Sequence, residues 1–286
     1  MALIELDIPE EDGWRDDVAS RVLILVLAAS ILWFGVRMWG LINDVGVVGA
    51  IPTFLCFALG VELLVLVVSD IDLHAHGRTI GYVTTLVMAL ASLAVVLVAE
   101  LPRLGTDLLA FTSHAVELHA EGANPFAVSM APSHELPGAP DIWTRRTDGS
   151  IVDSWSYPGG TLWVYAAQYR LFGRAGGLRL TSLVGATLIG LVVTYLVPAV
   201  YGPLGPASVL LAENELLAAL GGLNDMWWVL PTVLTVWLWA TDRRVWAAAV
   251  FGVACSMKQQ PWAIGLPLAI WVWKDAPDWR VFVRRA

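Results

Sequence analysis

Three apolar runs, at about residues 20–36, 47–69 and 80–99, follow one another with only short polar breaks between them. Each is close to the roughly 20 residues that a helix needs to cross a bilayer. In hydrocarbon every backbone N–H and C=O must find its partner within the chain, so runs of this kind fold as helices. Composition extends the inference to the rest: hydrophobic residues make up 57%, charged residues only 15%, and mean hydropathy is +0.67, outside the usual range of soluble domains. Many of the 15 Trp, among them Trp33, Trp39, Trp163, Trp227, Trp228, Trp271 and Trp273, stand near the ends of apolar runs, as in an interfacial aromatic belt. The expected fold class is all-α: a polytopic transmembrane helical bundle of the cell membrane, with an outer-side juxtamembrane helix and loop.

The remaining runs are less regular. Residues 161–173 become long enough to span if the helix begins near Tyr157. Runs 178–200 and 225–241 read as spans, whereas 245–257 and 261–273 are short pieces parted by Lys258, Gln259, Gln260 and Pro261. Arg15, Arg21, Arg78, Arg170, Arg174, Arg179, Arg243 and Arg244 all fall on one side if the N-terminus is cytoplasmic. That choice gives an acidic cytoplasmic tail (1–19), three transmembrane helices (20–99), an outer loop with a juxtamembrane helix (100–156), and further transmembrane and re-entrant helices (157–286). Run 204–222 carries Glu213, Asn214 and Glu215 at its centre, where ionised carboxylates are costly in a span. A re-entrant or interfacial helix is expected there, placing Glu213, Glu215, Asn224 and Asp225 on the same side as Asp107. The net charge of −8 describes an acidic aqueous surface and gives no reason to expect a nucleic-acid partner. Cys56 and Cys255 sit in apolar runs and read as buried thiols. The acidic start lacks the basic region of a cleavable signal peptide.

The stretch 100–126, ELPRLGTDLLAFTSHAVELHAEGANPF, carries the densest polar information. At about 100° per residue, Asp107, His114, Glu117 and Glu121 share a helix face, and Gly122, Asn124 and Pro125 end the helix. An acid and a histidine held at a membrane surface suggest chemistry; an interfacial helix with a wetted polar face would show the same pattern. The Pro/Gly/Ser/Asp-rich segment 127–156 shows no sustained period and is long for an unstructured connection, which argues for a functional loop. In Tyr157-Pro-Gly-Gly160 the proline suits a helix start, and the glycines permit close approach of another group. Lys258, between two apolar runs, reads either as an interfacial cap or as a phosphate contact supported by Gln259 and Gln260. The sequence has no internal repeat, glycine-rich phosphate loop, GxSxG elbow or HExxH helix.

Asp107-Leu-Leu-Ala-Phe111 followed by Glu121-Gly-Ala-Asn-Pro-Phe126 resembles the first outer loop of GT-C type integral membrane glycosyltransferases. There, an acidic residue after an early span precedes a Gly-x-Asn-Pro-Tyr/Phe signature. Further matches follow in order at Tyr157–Gly160, Gly222-Leu-Asn224-Asp225 and Lys258-Gln-Gln-Pro261, so the resemblance covers roughly 80–275. The chain is similar to polyprenol-phosphate-sugar-dependent mannosyltransferase-like proteins. That resemblance implies transfer of a sugar from a polyprenyl-phosphate donor to an acceptor at the outer membrane face.

In this scheme Asp107 is the general base, and Lys258, or Arg145 and Arg146, neutralises the departing phosphate. His114 and Glu117 orient Asp107 or bind a divalent metal, Mg or Mn. Asn124, Tyr157, Asn224, Asp225 and Gln259 complete the substrate-binding set. Family members are longer and usually carry more spans, so a partner subunit supplying spans joins the lipid-linked donor and the membrane lipids as an expected partner. The alternative is a non-catalytic polytopic protein: transporter-like, a scaffold subunit, or an inactive truncated paralogue.

Overall fold

The computed structural model describes residues 13–42, 46–98, 106–136, 143–172, 175–210 and 225–275. The described residues are helical, apart from loops and one isolated bridge between Arg145 and Ile151. The chain divides into two compact units.

The first unit holds α1 (Gly13–Ile42), α2 (Val47–Val68), α3 (Leu73–Val98), α6 (Ala175–Leu196) and α7 (Leu204–Leu210). Among the described residues, the four helices long and apolar enough to cross a membrane lie here, over Asp17–Gly40, Ala50–Val68, Ala75–Leu97 and Gly177–Leu196. Their outward positions stay apolar, with Val22, Trp33, Phe54, Val65, Leu90 and Val184 all exposed. Such a surface is costly in water and suited to lipid.

Charged side chains in this unit work at helix ends. Arg21 donates to the carbonyls of Val67 and Ser69 at 2.8 and 2.7 Å, meeting the C-terminus of α2, while its Nε holds Asp17 at 2.8 Å. Arg78 donates to the Val197 carbonyl, just past α6, at 3.2 Å. A cation at a helix C-terminus satisfies orphan carbonyls and complements the dipole. Near Arg78, α3 meets the 3-10 turn Ala199–Tyr201 backbone to backbone: a Cβ on Gly77 would collide with the Ala199 carbonyl, and one on Gly81 with the Gly202 carbonyl. Gly77→Val should therefore cost about 1–3 kcal/mol through overpacking. A thermal melt of the detergent-solubilised chain that is unchanged by this substitution would show that the contact does not form.

The second unit holds α4 (Asp107–Ala120), α5 (Gly159–Phe172), α8 (Met226–Ala240), α9 (Arg244–Met257) and α10 (Gln260–Asp275). The spans expected from 157 and over 225–241 are helices of 14 and 15 residues, or about 21 and 22 Å at 1.5 Å per residue. Both fall short of the ~30 Å hydrocarbon core. Helix α5 starts at Gly159, two residues after Tyr157, which forms a bend. The proposed break at Lys258 is present: Lys258 is extended (φ −152°, ψ 162°) and separates α9 from α10.

Residues 127–156 have more structure than their composition suggested. They form a 3-10 turn, Ala131–Glu135, and a small hairpin closed by Arg146 N–H to the Ser150 carbonyl (2.8 Å) and Val152 N–H to the Thr144 carbonyl (3.0 Å). Gly149, at φ 85°, makes the reversal that an L side chain would resist. Of the segment expected to re-enter, α7 is described; Glu213, Asn214, Glu215 and Asn224 lie outside the described residues.

Candidate functional site

Helix α4 begins because Thr106 caps it, its Oγ1 accepting the Leu109 N–H at 3.1 Å. Asp107 occupies the first turn, where a carboxylate suits the positive helix end. Its Oδ1 accepts the Leu108 N–H at 2.8 Å. Its Oδ2 accepts two donors from Thr144, the N–H at 2.9 Å and the hydroxyl at 2.5 Å. Asp107 is thus tied to the hairpin 37 residues later, and both oxygens are engaged.

The hairpin is anchored by rings as well. Trp143 packs on His134 with centroids 4.0 Å apart and on Phe111, one turn after Asp107, at 5.6 Å. Burial leaves His134 Nε2 without a hydrogen-bond partner. Arg146 grips Asp153 at 2.5 Å, and this hydrogen bond and charge hold the Asp153 carboxyl below its ordinary range. Arg145 donates to the Gly149 carbonyl at 2.8 Å. Both arginines therefore contribute to the internal structure of the hairpin.

Asp225 immediately precedes α8 without capping it through its side chain, and its Oδ1 accepts the Trp228 indole N–H at 2.8 Å and the Lys258 ammonium at 2.5 Å. The pair is mostly shielded, with Lys258 11% and Asp225 22% exposed. Lys258 also stands 5.8 Å from the Tyr157 ring centroid, within cation–π range. Tyr157 is the hub of the cluster. Burial, followed by the charges of Asp107 and Asp225, pushes its hydroxyl up to about 12, so it stays protonated at neutral pH. One phenol thus senses both carboxylates, and its ring packs edge-on against Trp155 at 5.2 Å.

Two tethers position this hub. Gln259 Nε2 donates to the Ser156 carbonyl at 2.5 Å, and the Thr161 hydroxyl donates to the Met257 carbonyl. Gly160 is required for that docking, since a Cβ there would sit 2.5 Å from Ser256 Oγ, whereas Gly159 faces open space.

The sequence candidates therefore separate into three groups. Tyr157, Asp225, Lys258 and Gln259 are joined by contacts at one place, and Asp107 bears on it through its charge on the Tyr157 hydroxyl. His114, Glu117 and Asn124 do not join it through Asp107: at 1.5 Å per residue, His114 lies about 10 Å and Glu117 about 15 Å further along α4. Asn124 lies past the opposite end of α4, where its Oδ1 accepts the Phe126 N–H at 3.1 Å and Gly122 (φ 81°) terminates the helix. Arg145 and Arg146 flank Thr144 in the hairpin, and Asn224 lies outside the described residues.

Helix α4 also differs from a wetted interfacial helix. Leu108 through Ser113, Ala115 and Val116 are all buried, so packing surrounds most of its circumference. Thr144 and the His134–Trp143 pair were not singled out from sequence, and Trp228 was read only as part of an aromatic belt; no spacing rule marks a threonine that will bond an acid 37 residues away.

Among the described residues no three His, Cys, Asp or Glu side chains form a metal-ligating group. Asp107 uses both oxygens on Leu108 and Thr144, and Asp225 Oδ1 accepts from Trp228 and Lys258. Comparisons with known proteins find no matching family model, no matching curated protein and no matching solved structure.

Proposed function

We propose that this protein is a GT-C-like membrane glycosyltransferase that moves a sugar from a polyprenyl-phosphate donor to an acceptor hydroxyl. The observation that carries the reading is the shielded Lys258–Asp225 pair beside the Tyr157 ring, with Asp107 near enough for its charge to act on the same phenol. A base, a neutral donor and a shielded cation are the groups that this displacement requires.

The acceptor oxygen bonds to the anomeric carbon as that carbon's bond to the phosphate oxygen breaks. Asp107 takes the acceptor proton, and the phosphate leaves with the electron pair. Lys258 neutralises it, and the Tyr157 hydroxyl donates a hydrogen bond. No step is routed through a metal. The test is transfer from radiolabelled polyprenyl-phosphate mannose and glucose by membranes containing the intact chain, against membranes lacking it. No transfer from either donor would sink this reading.

One observation favours a second, non-catalytic reading. Asp107 and Asp225 each have protein partners already, as structural polar groups do. No transfer by the parent, together with a lowered melting temperature in variants of both carboxylates, would support it.

Arg placement further leads us to place the N-terminus in the cytoplasm and the hairpin outside. A Cys introduced at exposed Asp148 should react with an impermeant thiol reagent in intact cells, and one at exposed Asp70 should not. The opposite labelling would invert the topology.

A further inference from the structure

Asp107 can act as a base only if an acceptor hydroxyl reaches one of its oxygens. Oδ1 faces the backbone N–H of Leu108, within its own helix turn. Oδ2 is the outward oxygen, and a hydroxyl already sits on it at 2.5 Å, that of Thr144. An alcohol donating its proton to this carboxylate is the arrangement expected of a bound acceptor just before transfer. We infer that Thr144 occupies the acceptor-hydroxyl position, and that the hairpin 143–153 is a built-in cover which an incoming alcohol acceptor displaces. This inference rests on the transferase reading above.

The hairpin is suited to leaving as a unit. Its own hydrogen bonds, Arg146 with Ser150, Val152 with Thr144, Gly149 with Arg146 and Ser150 with Asp148, do not involve Asp107, so its shape survives release. Residues 144–150 are all exposed, so the contacts that oppose movement lie at the hairpin's base, where Trp143 packs on His134 and the Asp153 carbonyl accepts the Met130 N–H at 2.6 Å. The Arg146–Asp153 pair, 43% and 47% exposed, adds little restraint. The attachments to α4 are the two Thr144 donors and the Trp143 contact with Phe111. An acceptor hydroxyl replaces the Thr144 hydroxyl one for one, leaving the hydrogen-bond count at Oδ2 unchanged. Until that exchange the Thr144 hydroxyl occupies the place on Oδ2 that a water molecule would otherwise take. The inference therefore assigns Thr144 a second effect, suppression of donor hydrolysis, in which water takes the sugar and its proton passes to Asp107.

The experiment uses the full chain in detergent with Thr144→Val, which keeps the branched shape and removes the hydroxyl. Two readouts are taken. Hydrogen–deuterium exchange across 143–152 should speed up on the order of 10-fold in Thr144→Val, the factor carried by one charge-assisted hydrogen bond. Unchanged exchange would overturn the cover whatever the activity. Release of free sugar from radiolabelled polyprenyl-phosphate mannose into water should rise by a similar factor, and Thr144→Ser should return both readouts toward the parent. Faster exchange with hydrolysis equal to or below that of an active parent overturns the acceptor-position assignment alone. Faster exchange with no turnover of any donor by parent or variant overturns the transferase reading and the assignment together.

Discussion

Asp107→Asn should lower sugar transfer by about 10²- to 10⁴-fold, the usual loss when a general base is removed. The substitution keeps shape and one acceptor oxygen, which can still receive the Thr144 N–H. The Thr106 cap is untouched, so α4 still starts at the same place. What disappears is the basic oxygen facing the Thr144 hydroxyl, together with either the Leu108 or the Thr144 contact, because an amide nitrogen cannot accept. The stability loss should be about 1 kcal/mol, one hydrogen bond's worth. The comparison is therefore transfer from radiolabelled polyprenyl-phosphate mannose against a melting curve of the same preparation. A variant that melts near the parent and transfers within a fewfold of it removes Asp107 from the mechanism.

Lys258→Gln is the second large effect, and the Asp225 pair makes it a compound one. Removing the cation leaves the 22%-exposed Asp225 carboxylate with the Trp228 N–H but no counter-charge. A fully buried pair broken this way costs about 3–5 kcal/mol; partial exposure puts this one nearer 1–3 kcal/mol. If Lys258 also meets the donor phosphate, kcat/KM for the lipid donor should fall about 10- to 100-fold, as expected for a lost hydrogen bond to a charged group. The double variant Lys258→Gln/Asp225→Asn separates the two effects. It removes the orphaned charge and should recover the melting temperature while donor use stays low. Lys258→Arg should keep partial donor use because the charge remains, although a planar fork replaces a point charge. Lys274→Gln, exposed in the last turn of α10, is the control. Recovery of transfer in the double variant would show that Lys258 serves only Asp225.

The legible parts of this protein are those that depend on neighbours in sequence. Apolar runs of crossing length predicted α1, α2, α3 and α6, and the hydrogen-bond demand of an apolar environment made them helices. Breaking residues located the end of α4 at Gly122, whereas its Thr106 cap emerged only in the structure. The polar interruption at Lys258–Pro261 located the break between α9 and α10. Local periodicity at α4 gives a shared face and leaves distance along the helix out of account. Asp107, His114 and Glu117 do recur at helical spacing, yet the rise of the helix separates them by about 10–15 Å.

The cluster itself was decided by the tertiary structure. Thr144 reaches Asp107 across 37 positions, and Lys258 reaches Asp225 across 33. Tyr157 registers both acids because Gly160 allows α5 to dock on the end of α9. Hydrophobic length and caps act within a turn or a span, so the sequence alone determines where helices begin and end. A carboxylate's partner is instead set by which loops the packed helices bring to its oxygens, and no local rule encodes that.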